Sequence, residues 1–166
     1  QWRISGLDDG VVMASTNFMP VFRATPVYFA STDRTQLVPD LRWFPSEAIA
    51  TSAVTALLGG PSPWLRDAVV SGAPEGVALS TAAVTVNADR VATMDLTAEG
   101  TVTRSADRNL LQAQVEAMLL RAPGIAVTDV RITVGGLEWE TTATLTPERD
   151  VAPGPGPYVI WRDRRT

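Results

Sequence analysis

Two glutamates near the C-terminal end, Glu138 and Glu140, flank Trp139 at a spacing that places both carboxylates on one side of a strand. A pair of carboxylates at a set separation is what glycoside hydrolysis requires. Neighbouring same-face residues of a strand lie about 6–7 Å apart at the backbone. However, the sequence shows no apolar setting around either glutamate and no cluster of sugar-binding aromatic residues. A solvated edge strand is therefore the favoured interpretation, and a hydrolase is a remote alternative.

Three other carboxylates, Asp33, Asp40 and Glu47, lie near the start of a predicted helix. Oxygen ligands of this kind suit a hard cation. The chain has no calcium-loop spacing, and Arg34 and Arg42 offer simpler partners. We therefore predict no metal site and no cofactor.

The i, i+2 spacing of Asp40 and Arg42 puts both side chains on one strand face and points Leu41 the other way, toward the core. This spacing favours a structural ion pair or a cap on the following helix. Trp43 and Phe44 at the strand-to-helix corner are expected to form a hydrophobic plug. If they are exposed instead, they are candidates for a binding hot spot.

The composition excludes several kinds of chemistry. The chain has no histidine, no cysteine and no lysine, so all 14 basic residues are arginine. Nucleophile systems that depend on histidine, zinc held by histidine or cysteine, Schiff-base lysine and disulfides are thereby removed. The net charge of −4 argues against nucleic acid as a partner. We predict no catalytic, cofactor-binding or metal-binding residue and no enzymatic activity, and we leave the residues of any protein-binding surface open.

The spacing of apolar residues predicts the elements that would carry these side chains. Ser46 is expected to cap a helix that runs to residue 58, where Gly59 and Gly60 end it. A second helix is expected from about 105 to 121. A single helical turn at 63–70 is expected to direct Trp64 and Leu65 inward. Strands are expected at 27–30, 36–42, 77–86, 91–96 and 125–134. The chain is then expected to turn at Gly135 and Gly136 and to begin a return strand at Leu137. This order predicts an α+β fold: a small mixed sheet with two helices packed on one face in a split β-α-β topology.

One hydrophobic core should unite the inner faces of these elements. Its predicted members share helical or alternating spacing and are Leu57, Leu58, Leu111, Val115, Met118 and Ile132.

Outside this domain, expected at 27–140, residues 1–26 are interpreted as the remnant of an upstream domain plus a connection. Residues 141–166 are interpreted as a Pro/Gly linker and, at 158–161, the first strand of a further domain. The chain begins with Gln1, has no signal peptide and has no apolar run of the ~20 residues needed to span a membrane. We interpret it as a fragment.

Several motifs in order along the chain resemble the GerMN domain, named after spore-germination proteins, and more narrowly the LpqB family of actinobacterial envelope lipoproteins. The motifs lie at 27–31, 37–45, 56–61, 84–91, 94–96, 109–115 and 130–136, with Trp2-Arg3-Ile4 upstream. The resemblance implies the same α+β arrangement. It also implies a lipid-bearing cysteine upstream of this chain, an extracytoplasmic location at the cell membrane and a β-propeller downstream.

The resemblance further implies a non-catalytic protein-interaction module that is accessory to a sensor histidine kinase of a two-component system. Its expected partner is the extracellular domain of that kinase. A peptidoglycan-binding module is the alternative, and a wall hydrolase acting through Glu138 and Glu140 is the remote one.

Overall fold

The computed structural model describes residues 13–99, 104–122, 124–142 and 144–149. A short helix α1 (Ser15–Val21) leads into the hairpin of β1 (Phe22–Ser31) and β2 (Gln36–Pro45), which pair antiparallel along their length. β3 (Val69–Val70) pairs antiparallel with the end of β1. β8 (Glu148–Arg149) runs parallel to the start of β2. These strands form a four-stranded sheet in the order β3-β1-β2-β8.

The second sheet contains β4 (Thr85–Val86), β5 (Val91–Leu96), β6 (Asp129–Val134) and β7 (Leu137–Glu138) in that order. The central strands β5 and β6 are parallel, and both outer pairs are antiparallel. Parallel neighbours need a crossover connection. That connection contains helix α3 (Ser105–Leu119).

A 3-10 helix (Ser46–Ala48) precedes α2 (Ile49–Leu58). The predicted cap by Ser46 is wrong, because its hydroxyl donates instead to the carbonyl of Pro20 at 3.3 Å and α2 begins three residues later. The predicted end of the helix is confirmed. Gly60 follows α2 with φ 88°, a backbone conformation that favours glycine.

The α+β class is confirmed, but the strands divide into two sheets where one was expected. The helices also differ from the expected placement on one face. Arg149 is registered with Leu37 and donates to the carbonyl of Ala117 in α3 at 3.2 Å, which places α3 on the Leu37 face of the first sheet. Arg42, whose side chain points to the other face, donates to the carbonyl of Ala56 in α2 at 3.2 Å. The two helices therefore contact opposite faces of this sheet.

The physical reason lies in β1, where four consecutive residues, Val27, Tyr28, Phe29 and Ala30, are all buried. Successive residues of a strand point to opposite faces, so such a run requires cover on both sides.

The predicted core is confirmed. Leu57, Leu111, Val115, Met118 and Ile132 are buried in one hydrophobic cluster. Leu58 is partly buried and packs against that cluster.

The domain boundaries at 26/27 and 140/141 stay predictions. β1 crosses the first boundary, and β8, beyond the second, pairs with β2. The strand-like segments predicted at 2–4 and 158–161 lie outside the described residues. None of the helices in the described part of the chain has the length and apolar character needed to span a bilayer.

Candidate functional site

A buried carboxylate, Asp40 on β2, anchors the segment that follows α2. Arg42 donates to its Oδ2 from Nη2 at 2.7 Å and from Nε at 3.2 Å. Ser62 donates to Asp40 from its backbone N–H at 2.9 Å and from its hydroxyl at 3.0 Å. Arg42 also donates to the carbonyl of Gly60 at 2.8 Å. The predicted structural ion pair is confirmed, and it fixes the 60–62 segment to the sheet.

These contacts decide the protonation of Asp40. Burial raises the pKa of its carboxyl, but the hydrogen bonds from Arg42 and Ser62 and the charge of Arg42 outweigh burial and hold that pKa below its ordinary value. Asp40 is therefore an ionised structural group whose acceptor capacity is already used.

The anchored segment presents an exposed tryptophan. Leu65 is buried, and its backbone N–H donates to the carbonyl of Ser62 at 2.9 Å. Trp64, between the anchored Ser62 and the buried Leu65, is 74% exposed. The prediction that Trp64 points inward is wrong, whereas it is confirmed for Leu65. The turn is held at Ser62 and Leu65, so the indole is displayed on a fixed support.

A second exposed apolar feature lies on β2, where the alternate residues Pro39, Leu41, Trp43 and Pro45 are all exposed. Leu41 is 63% exposed, so its predicted orientation toward the core is wrong. From residue 39 onward the buried face of β2 is instead the one carrying Asp40 and Phe44, whereas Leu37 is the buried residue on the face of Leu41.

The predicted plug at the end of β2 is therefore only half formed. Phe44 is buried, but Trp43 remains 45% exposed. The Trp43 ring meets Phe18 of α1 edge-on at 5.1 Å, and Phe18 stacks on Phe22 at 4.7 Å.

The paired glutamates do not form a common site. Glu138 ends β7, with 75% of its side chain exposed, and its Oε1 lies 3.9 Å from Nε of Arg131. Glu140 lies beyond the strand and is also exposed. A pocket of about 180 Å³ contacts Glu138 and the buried Trp139 but is not lined by Glu140.

The other two candidate carboxylates, Asp33 and Glu47, do not join Asp40 in a common site. Asp33 accepts hydrogen bonds from Ser31 at 2.5 Å and from Thr35, which lower the pKa of its carboxyl. Glu47 is exposed in the 3-10 helix. Within the described ranges, no three acidic residues gather in a way that could hold a metal ion.

Comparisons with known proteins agree with this architecture. The profile of the Germane family, described as "Sporulation and spore germination", matches residues 26–140. The chain belongs to this family of GerMN domains.

Solved GerMN domains share the fold. The first GerMN domain of the sporulation protein GerM from Bacillus subtilis matches 75% of this chain and 92% of its own, with a TM-score of 0.54 and 21% identity. The tandem GerMN domains of the same protein match with a TM-score of 0.57 at 19% identity, over 76% of this chain and 45% of theirs.

The sequence relatives are lipoproteins. This chain is 32% identical to lipoprotein LpqB of Bifidobacterium longum over 167 residues, covering 96% of the chain and 27% of that protein. It is 34% identical to lipoprotein LpqB of Cutibacterium acnes, covering 82% of the chain and 23% of that protein. The chain thus spans about a quarter of the length of the relatives it matches, and its GerMN domain is of a kind that occurs in lipoproteins.

Two features escaped the sequence interpretation, namely the exposure of Trp64 and that of the Pro39–Pro45 row. A signal for the edge position of β2 was present, because Pro39 and Pro45 cannot donate to a sheet ladder and therefore favour an edge strand. The sequence carried no comparable signal for Trp64, since a tryptophan beside Leu65 fits an inward turn equally well.

Proposed function

We propose that this GerMN domain is a non-catalytic protein-interaction module of a cell-envelope lipoprotein. Its proposed partner is the extracytoplasmic domain of a sensor histidine kinase in a two-component system. The lipoprotein relatives support the envelope location, at the outer surface of the cell membrane and held by a lipid anchor upstream of this chain.

The observation that carries the proposal is the display of Trp64. A tryptophan that is 74% exposed contributes little to the core. Asp40 fixes the neighbouring Ser62 through two hydrogen bonds, and Leu65 is buried on the other side. Rigid exposed tryptophans are enriched among residues that dominate binding energy, because they bury a large area at little cost in conformational entropy.

The described residues also support a binding role over a catalytic one. A cavity of about 580 Å³ lies between the end of α2 and the 71–79 loop. Its walls include Leu58, Ser71, Val77 and Leu79, and Glu75 is the one ionisable residue among them. Such a cavity can accommodate part of a ligand but lacks a paired acid and base for hydrolysis.

Binding to the kinase is tested with immobilised chain and the purified extracytoplasmic domain of the sensor kinase from the same organism. The wild type should bind reversibly, and Trp64→Ala should weaken binding by about 30-fold, the effect of a 2 kcal/mol hot spot. Leu137→Ala is the matched control, because Leu137 is 77% exposed on β7, away from the anchored turn. The control should bind like the wild type.

Absence of binding by the wild type, or equal loss in both variants, would refute the assignment to Trp64. The alternative, a peptidoglycan-binding module, is tested with the same variants by sedimentation with purified peptidoglycan. Co-sedimentation that Trp64→Ala abolishes, without binding to the kinase domain, would establish the wall as the ligand instead.

A further inference from the structure

The outer edge of β2 can be identified from its hydrogen bonds. Gln36 bonds toward β1: its N–H donates to the hydroxyl of Ser31 at 3.1 Å, and its carbonyl accepts from that hydroxyl at 3.4 Å. Glu148 of β8 donates to the carbonyl of Thr35 at 2.9 Å on the other side. Main-chain groups alternate along an antiparallel strand. The N–H and C=O groups of the odd-numbered residues of β2 therefore point away from β1.

Most of this edge has no partner strand within the described residues. β8 pairs only with Gln36 and Leu37, at the beginning of β2. Beyond that point the outward residues are Pro39, Leu41, Trp43 and Pro45. The two prolines carry no N–H, so Leu41 and Trp43 supply the outward donors of this stretch. The prolines confine pairing to a short window and discourage open-ended aggregation.

The side chains of the same residues are also exposed, although one edge of the Trp43 ring contacts Phe18. Leu41 is 63% exposed and Trp43 is 45% exposed, and the row from Pro39 to Pro45 on this face contains no charged residue. An exposed apolar row beside unpaired main-chain groups is the surface that strand addition uses.

We infer that this edge pairs with the same edge of a second copy of the chain, antiparallel about a two-fold axis at Trp43. In this register Trp43 exchanges both main-chain hydrogen bonds with Trp43 of the second copy. The N–H of each Leu41 meets the carbonyl of Pro45 in the other copy. All four donors of the two edges are thereby used, and such a contact is self-complementary and closed.

Three observations favour a second copy in this register. First, β8 already occupies the edge beside Leu37. In the register centred on Trp43, the last strand residue of the second copy, Pro45, pairs with Leu41 and so does not overlap β8. Second, it places two indoles side by side on the exposed face, where cross-strand aromatic pairs are favourable. Third, each copy carries a net charge of −4, but this row contains no charged residue, so the contact brings no like charges of the row together.

The area of the contact sets its strength. Leu41 and Trp43 together offer roughly 200 Å² of exposed side chain per copy, well below the ~800 Å² per partner of a standard stable interface. The dimer is therefore weak and depends on concentration, and it dissociates in dilute solution. It does not depend on Trp64 or on the partner proposed for that residue.

A cysteine cross-link tests the register, because the chain contains no cysteine of its own. Directly opposed residues of a hydrogen-bonded pair have Cα atoms about 5.5 Å apart, which suits a disulfide. Trp43→Cys should therefore give a disulfide-linked dimer under mild oxidation. Leu41→Cys is the matched control, since its two introduced thiols would be offset by four residues, or about 13 Å along the strands.

Sedimentation velocity over a range from about 10 to 500 µM tests the association without a cross-link. The wild type should shift from monomer toward dimer. Leu41→Lys should weaken association by about tenfold or more, because a charge on an edge strand opposes pairing. Leu137→Lys, at an exposed position on β7, should associate like the wild type. Unchanged melting temperatures establish that both lysine variants are folded.

A wild type that stays monomeric at every concentration would overturn the inference. Cross-linking of Leu41→Cys as fast as that of Trp43→Cys would also overturn it, because both would then report random collision or another register.

Discussion

Replacing Asp40 by asparagine perturbs the anchor of the Trp64 turn while keeping the size of the side chain. The substitution removes the charge that Arg42 faces at 2.7 Å and at least one of the two hydrogen bonds from Ser62. Asp40 is 2% exposed, so solvent cannot replace these contacts.

The size of the expected loss of stability follows from the contacts that Arg42 keeps. Breaking a buried ion pair by removing one partner costs about 3–5 kcal/mol. Arg42 is 24% exposed and keeps its hydrogen bonds to the carbonyls of Ala56 and Gly60, which reduces the cost. We therefore expect Asp40→Asn to lower the free energy of unfolding by about 2–4 kcal/mol at neutral pH. With a urea m-value near 2 kcal/mol/M, the midpoint should fall by roughly 1–2 M.

The difference in free energy of unfolding between the wild type and Asp40→Asn should depend on pH in a defined direction. The folded-state pKa of Asp40 lies below its ordinary value, so ionised Asp40 stabilises the fold above the unfolded pKa of about 3.9. That stabilisation is lost as the pH falls through the folded-state pKa. The gap between wild type and Asp40→Asn should thus be full at pH 7 and shrink below about pH 4.

Urea denaturation followed by circular dichroism at pH 7 and at several lower values measures this gap. Asp67→Asn is the control, because Asp67 is an exposed carboxylate of the same turn that makes none of the Asp40 contacts, and it should change stability by less than about 0.5 kcal/mol. A loss under about 1 kcal/mol for Asp40→Asn at pH 7, or a gap that does not change with pH, would refute the reasoning.

Three further outcomes are expected. Leu57→Ala and Leu111→Ala remove fully buried side chains and should each cost about 2–5 kcal/mol in chemical denaturation, whereas losses under ~1 kcal/mol would mean that the helix faces are misassigned. Gly72→Ala should cost about 1–3 kcal/mol or more, since an added Cβ would lie 2.4 Å from the backbone nitrogen of Leu111; a melting temperature equal to that of the wild type would contradict this close approach. The purified chain should release no soluble muropeptides from peptidoglycan, and release that Glu138→Gln or Glu140→Gln abolishes would revive the hydrolase alternative.

Local spacing in the sequence was sufficient for helices α2 and α3, for strands β2, β5 and β6 and for part of the core, but not for α1, β3 or β8. Gly60 ends α2 because glycine tolerates the positive-φ backbone conformation that stops a helix, and that property belongs to the residue itself. Leu111, Val115 and Met118 recur at helical spacing, so they share one face of α3 wherever the helix packs. The pairing of Asp40 with Arg42 was likewise predictable, since residues two apart on a strand point to the same side.

Only the tertiary structure decided which faces are covered. Alternation on β2 separates Leu41 from Asp40, but it does not say which of the two sides is buried. α2 covers the side with Asp40, and α3 covers the other side at Leu37, so Leu41 and Trp43 remain exposed although they are the more apolar residues. Trp64 is exposed for a similar reason, because Ser62 and Leu65 fix the turn through distant contacts. Periodicity depends on neighbours in the chain, whereas burial depends on elements that are far apart in sequence, and the sequence alone does not specify how these meet.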